Sequence, residues 1–122
     1  MPALRAGCSL LLLAVLGCDS DRPREVLVVA RGVTFTVPSD SRAANPRITL
    51  APGERVQITL RSEAPGLIHD FQIPAWNVKT EQVRGGESTS VVFVAPETEQ
   101  RAEYVSGPHA ETLRGVIEVK AR

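Results

Sequence analysis

Between Glu25 and Val119 the apolar residues come in short runs, and each run is closed by proline or glycine within a few residues. The clearest run is Arg55 to Leu60, with Val56, Ile58 and Leu60 on one face and Arg55, Gln57 and Thr59 on the other. A period of two over such a length belongs to a half-buried strand. Val26 to Val29, Val33 to Val37, Ile48 to Leu50, Leu67 to Ile73, Thr89 to Val94, Ala102 to Val105 and Val116 to Val119 repeat the pattern. Ala51-Pro52-Gly53-Glu54 reads as a turn, proline presetting φ and glycine supplying a positive φ. No apolar pattern of helical period runs beyond a turn or two. Seven to eight short strands at this spacing predict an all-β fold, an antiparallel Greek-key β-sandwich. Aromatic residues are only 4% of the chain, so the expected core is aliphatic, built from Val, Ile and Leu. Within the Leu67 to Ile73 strand the alternation places Leu67, His69, Phe71 and Ile73 on one inward face.

The chain of 122 residues suits one domain. Its 14 basic and 14 acidic residues cancel, and no basic block is present, so nucleic acid is not an expected partner. The two cysteines, Cys8 and Cys18, both lie near the N-terminus, which leaves the body without a disulfide or a cysteine-based zinc site. Arg5 followed by the apolar run Ser9 to Leu16 is too short to span a bilayer, which takes ~20 residues, and fits a secretory signal. That run ends Val15-Leu16-Gly17-Cys18, which resembles a bacterial lipobox. The expected organisation is a lipoprotein signal peptide over 1–17, lipidated Cys18 with a polar tether over 18–24, and a domain over 25–122. The mature protein is then exported and lipid-anchored to a bacterial membrane on its periplasmic, extracytoplasmic side. Asp19 after the cysteine resembles an inner-membrane retention signal of enteric bacteria, which does not hold in every phylum.

Two segments carry a more specific likeness. The first is Ile48 to Ile73, a strand, the Ala51–Glu54 turn, the alternating strand, then Ile68-His69-Asp70-Phe71-Gln72-Ile73-Pro74. The second is Tyr104-Val105-Ser106-Gly107-Pro108-His109-Ala110-Glu111-Thr112-Leu113-Arg114-Gly115, followed by Val116 to Val119. Together they resemble the cupredoxins, the small copper proteins of the plastocyanin, azurin and amicyanin type. The resemblance implies that His69 and His109, the only histidines, stand at copper-ligand positions. It also implies that Leu113 takes the axial methionine position and that Asp70 braces the ligand loop from behind. The thiolate position falls on Ser106 in the amicyanin-like register, or on Tyr104 in the longer azurin-like one. Neither is cysteine, so a type 1 blue site is excluded. His69 to Ala75 also resembles the binuclear copper domain of cytochrome oxidase subunit II, whose site needs two cysteines this chain lacks.

Three roles remain open for the histidines. They bind copper with Ser106 or water completing a colourless site, or take Cu(I) between two facing imidazoles. Alternatively both are structural, with ring nitrogens already satisfied. A Ser106–His109 hydrolytic site with Asp70 or Glu111 lacks an oxyanion loop and a nucleophile elbow, so no enzyme activity is expected. The leading expectation is copper capture or transfer through His69 and His109, with a copper donor or acceptor protein as partner. The alternative is a metal-free binding or scaffold module of an envelope complex. Trp76 is expected as a core or rim anchor, Gly85-Gly86 as a turn, and Glu97 to Glu103 as a solvated connection.

Overall fold

The computed structural model describes residues 22–39 and 43–121. The expected signal peptide over 1–17 and the expected lipidation site, Cys18, lie outside these residues. The strands are β1 (Arg24–Arg31), β2 (Thr34–Thr36), β3 (Ile48–Leu50), β4 (Arg55–Ser62), β5 (Ile68–His69), β6 (Gln72–Ile73), β7 (Val78–Lys79), β8 (Val83–Arg84), β9 (Ser88–Val94), β10 (Gln100–Val105) and β11 (Arg114–Val119). Two single 3₁₀ turns, Pro74–Trp76 and Gly107–His109, are the helical elements among the described residues, and no helix there is long and apolar enough to cross a membrane.

One sheet runs β2-β1-β4-β9 and the other β3-β11-β10-β6-β7, with β5 and β8 as a separate two-stranded ladder. The β-sandwich expected from the alternation is therefore the fold. Its sheets are mixed rather than purely antiparallel: β1 pairs parallel with β4 (Val26 opposite Ile58), and β11 pairs parallel with β3 (Ile117 opposite Ile48). The strand count exceeds seven to eight because four of the eleven strands span only two residues. β1 begins at Arg24, inside the expected tether, because its guanidinium bonds Thr49 O (3.1 Å) and Glu54 Oε1 (3.3 Å). β10 likewise begins at Gln100, within the stretch read as a solvated connection, by pairing Gln100 with Val119.

β4 shows most directly how the sequence builds the core. Val56, Ile58 and Leu60 are wholly buried, while Arg55 and Arg61 stay in water. The turn before it forms as expected, with Gly53 at φ 69° and Glu54 N–H donating to Ala51 O (3.2 Å).

The core departs from expectation in its centre. It is not all aliphatic: Phe35, Phe71 and Tyr104 are fully buried and stack on one another at 5.3–6.0 Å between ring centroids. The aromatic content is low, but three of the five rings converge, each with a neighbour at a favourable offset distance. The Tyr104 hydroxyl donates to Pro46 O at 2.6 Å, and burial pushes this phenol well above its usual range. Gly115 lies against that ring, where an added Cβ would meet Tyr104 Cζ and its hydroxyl. Tyr104→Phe should cost about 1–3 kcal/mol by leaving the buried Pro46 carbonyl unpaired, read as a lowered denaturant midpoint at unchanged m-value. Gly115→Ala should cost a similar ~1–3 kcal/mol by overpacking. If Gly115→Ala is neutral while Tyr104→Phe is costly, the glycine is not there for the ring.

The expected strand Leu67 to Ile73 is broken in two. His69 pairs with Val83, whereas Gln72 pairs with Val105 on one side and Lys79 on the other, so the chain leaves one ladder for another between them. Phe71 N–H is satisfied at the break by Thr80 Oγ1 (3.0 Å). His69, Phe71 and Ile73 are buried as expected, but Leu67 is only half-buried because it lies before the ladder starts.

Candidate metal centre

Two loops meet at one end of the sandwich. β5 brings His69, and the 3₁₀ turn after β10 brings Ser106 and His109. Pro108 starts that turn without needing a backbone N–H, and His109 N–H closes it on Ser106 O (3.0 Å). The histidines, 40 positions apart in sequence, come together with ring centroids 4.8 Å apart and planes tilted by 43°.

His69 is fully buried and its orientation is fixed at both nitrogens. Nε2 lies 2.7 Å from Gly32 O, an acceptor only, so Nε2 carries the proton. Gly32 is placed for this by the β1–β2 turn, where it sits at φ 59°. The lone pair therefore resides on Nδ1, which faces the Ser106 hydroxyl at 3.1 Å. Ser106, itself fully buried, donates that proton to Nδ1 and accepts from Asp70 N–H at 3.5 Å. Burial holds the His69 imidazole below its usual range and His109 pushes it the same way; the Gly32 hydrogen bond and Asp70 oppose them.

His69 is thus neutral in the fold but protonatable once unfolded. Its depressed folded pKa means the unfolded chain binds more protons as pH falls below about 6.5. The metal-free protein should be most stable above that pH and lose stability below it, while a His69→Gln variant should show a flatter profile. Urea midpoints between pH 7.5 and 5 test this, and parallel profiles would contradict it.

His109 is half-buried, and its ring nitrogens have no hydrogen-bond partner among the described residues. Leu113, expected at the axial position, is fully buried in the core, and its carbonyl accepts Ser106 N–H at 3.2 Å. Asp70 is tied to the second loop: Oδ1 accepts Gly107 N–H at 2.6 Å, and Oδ2 accepts from Gln72 Nε2 at 2.9 Å. Of the two residues, Ser106 is the one beside His69, whereas the buried Tyr104 hydroxyl donates to Pro46 O. The Ser106 hydroxyl pairs with His69 and not with His109.

Sequence reasoning missed Gly32, Gln72 and Thr80. Gly32 lies between the expected strands Val26 to Val29 and Val33 to Val37, but its carbonyl meets His69 only in the folded chain. Trp76 is the rim anchor expected, tilted against Phe93 and donating to Gln100 Oε1 at 3.1 Å.

These residues pass one test for a metal and fail another. A ligating histidine commonly donates its other ring N–H to a backbone carbonyl, which is the state of His69. No group of three or more His, Cys, Asp or Glu able to hold a metal occurs among the described residues, so the protein's own nitrogen donors number two. The centroid spacing of 4.8 Å is also shorter than the ~6 Å that a metal bound linearly between two imidazoles requires, given metal–nitrogen bonds of ~2 Å. The pair fits a bent site with further ligands better than a linear Cu(I) site.

No family model matches the chain, and no curated protein does. Solved structures do. Auracyanin A, a "blue" copper protein from Chloroflexus aurantiacus, superposes with a TM-score of 0.65 at 15% identity, covering 81% of this chain and 100% of that one. Dithionite-reduced auracyanin from Roseiflexus castenholzii gives 0.64 at 13%, covering 79% and 96%. The periplasmic domain of cytochrome oxidase subunit II from Bradyrhizobium japonicum gives 0.58 at 11%, covering 80% and 84%. Identities this low speak for architecture alone, and the architecture is that of the cupredoxin fold.

Proposed function

We propose that this protein is a membrane-anchored, extracytoplasmic copper-binding module that captures or hands over copper, without enzymatic activity of its own. One observation carries the reading: Nδ1 of His69 holds its lone pair toward Ser106, beside a His109 ring whose nitrogens have no hydrogen-bond partner among the described residues. His69 Nδ1 and a ring nitrogen of His109 would hold the ion, with the Ser106 hydroxyl or water completing the set and Leu113 contributing no donor. A bound copper ion would supply a redox-capable, exchangeable charge. A set of neutral nitrogen and oxygen donors suits Cu(II) without the blue thiolate band. Such a site binds less tightly than a thiolate site, which favours transfer over storage. Auracyanin A, a "blue" copper protein, supports copper as the metal by likeness of fold; the serine in the loop argues against a blue centre here. Export and lipidation rest on the N-terminal sequence.

The test is titration of a soluble form lacking residues 1–18 with Cu(II) and Cu(I). One equivalent should bind without a strong blue band, and His69→Ala and His109→Ala should each weaken it at least ~tenfold. A second reading, a metal-free scaffold, is favoured by the satisfied Nδ1 of His69. It expects no copper binding and only lowered stability in both variants.

A further inference from the structure

Two carboxylates are buried among the described residues, and they differ in company. Glu118, 9% exposed, has Arg47 and Arg101 each at 3.6 Å. Asp70, 1% exposed, forms no ion pair. Its two oxygens accept neutral donors, Gly107 N–H and the Gln72 amide. A buried anion without a cation is costly, and a neutral amide would make the same bond to Gly107. Hydrogen bonding alone therefore does not account for a charge at this position.

The place of that charge suggests what it is for. Asp70 follows His69 directly, its N–H reaches Ser106 Oγ, and its carboxylate holds the residue after Ser106. The donors proposed above, two imidazoles and a hydroxyl, are all neutral. A divalent ion there would leave two positive charges beside the fully buried His69 and Ser106, with no anionic ligand to offset them. Resting on the copper reading, we infer that Asp70 is the fixed counter-charge of this site and makes it favour Cu(II) over Cu(I). Coulomb energy scales with the charge of the ion, so Asp70 acts on Cu(II) twice as strongly as on Cu(I). Its role is positioning and electrostatic; it is not a ligand.

The experiment compares wild type, Asp70→Asn and Gln72→Lys in competition titrations with Cu(II) and with Cu(I). Asp70→Asn keeps an acceptor for Gly107 and removes the charge. Gln72→Lys keeps the carboxylate and gives it a cation from the position now 2.9 Å away. Both variants should bind Cu(II) about tenfold more weakly and Cu(I) about threefold more weakly, following the two-to-one ratio of charges. The copper potential should move positive in both. Exchange of the Gly107 amide in metal-free Asp70→Asn should stay as in wild type, separating charge from loop order. Equal losses for both oxidation states, or no loss, overturn the counter-charge role while leaving the copper site standing. A wild type that binds neither ion brings down the site itself, and the role with it.

Discussion

Copper-loaded Ser106→Cys should be intensely blue where the wild type is colourless. The sulfur would take the place of an oxygen that already lies 3.1 Å from His69 Nδ1, on a loop already closed by Asp70 and Pro108. Two imidazoles and one thiolate make the donor set of a blue centre. Exchanging a neutral hydroxyl for an anionic, soft thiolate should also tighten Cu(II) binding by on the order of a hundredfold or more. Absorption spectra of both proteins at one equivalent of Cu(II) check the colour, and competition titration checks the affinity. A variant that binds copper yet stays colourless would show that His69, His109 and position 106 do not converge on one ion. The same experiment separates loss of the thiolate from loss of the whole pocket.

Phe71→Ala should be the most damaging core substitution, costing about 3–5 kcal/mol. Phe71 is fully buried, stacks on Tyr104 at 5.3 Å and on Phe35 at 5.8 Å, and sits two residues from His69. For a domain of this size that loss corresponds to a fall in Tm on the order of 15–30 °C. Phe71→Leu should recover much of it, since the apolar volume is largely restored. Thermal unfolding of the metal-free protein measures both. A Phe71→Ala loss below ~1 kcal/mol would mean that the aromatic cluster collapses around the gap, and that the aliphatic strands hold the fold without it.

The pocket and the core are mechanically linked. Phe35 touches the stack on one side and the His69 ring on the other, at 6.0 Å. His69 is thus clamped by Phe35, by the Gly32 carbonyl and by Ser106, leaving His109 as the less constrained partner. Of the two imidazoles, His69 is therefore the fixed one and half-buried His109 the one open to solvent.

The local features of the fold are written in short stretches of the chain. Alternation fixed which residues of β4 face inward, because a strand's side chains can only point two ways. Pro52 and Gly53 fixed the turn before it, because their allowed φ values are those the turn uses. The order of the His69 and His109 segments pointed to the architecture, and the absence of cysteine from the body argued against a blue centre. Tertiary structure decided what depends on residues far apart. The break at Asp70–Phe71 follows from a change of pairing partner, which periodicity cannot register. The aromatic centre joins positions 35, 71 and 104, and a 4% aromatic content says nothing about where the rings meet. Most of all, the state of His69 is set by a carbonyl and a hydroxyl each 37 residues away. Which nitrogen of an imidazole bears its proton depends on the partner the folded chain puts beside it, and that partner is known only once the sheets have packed.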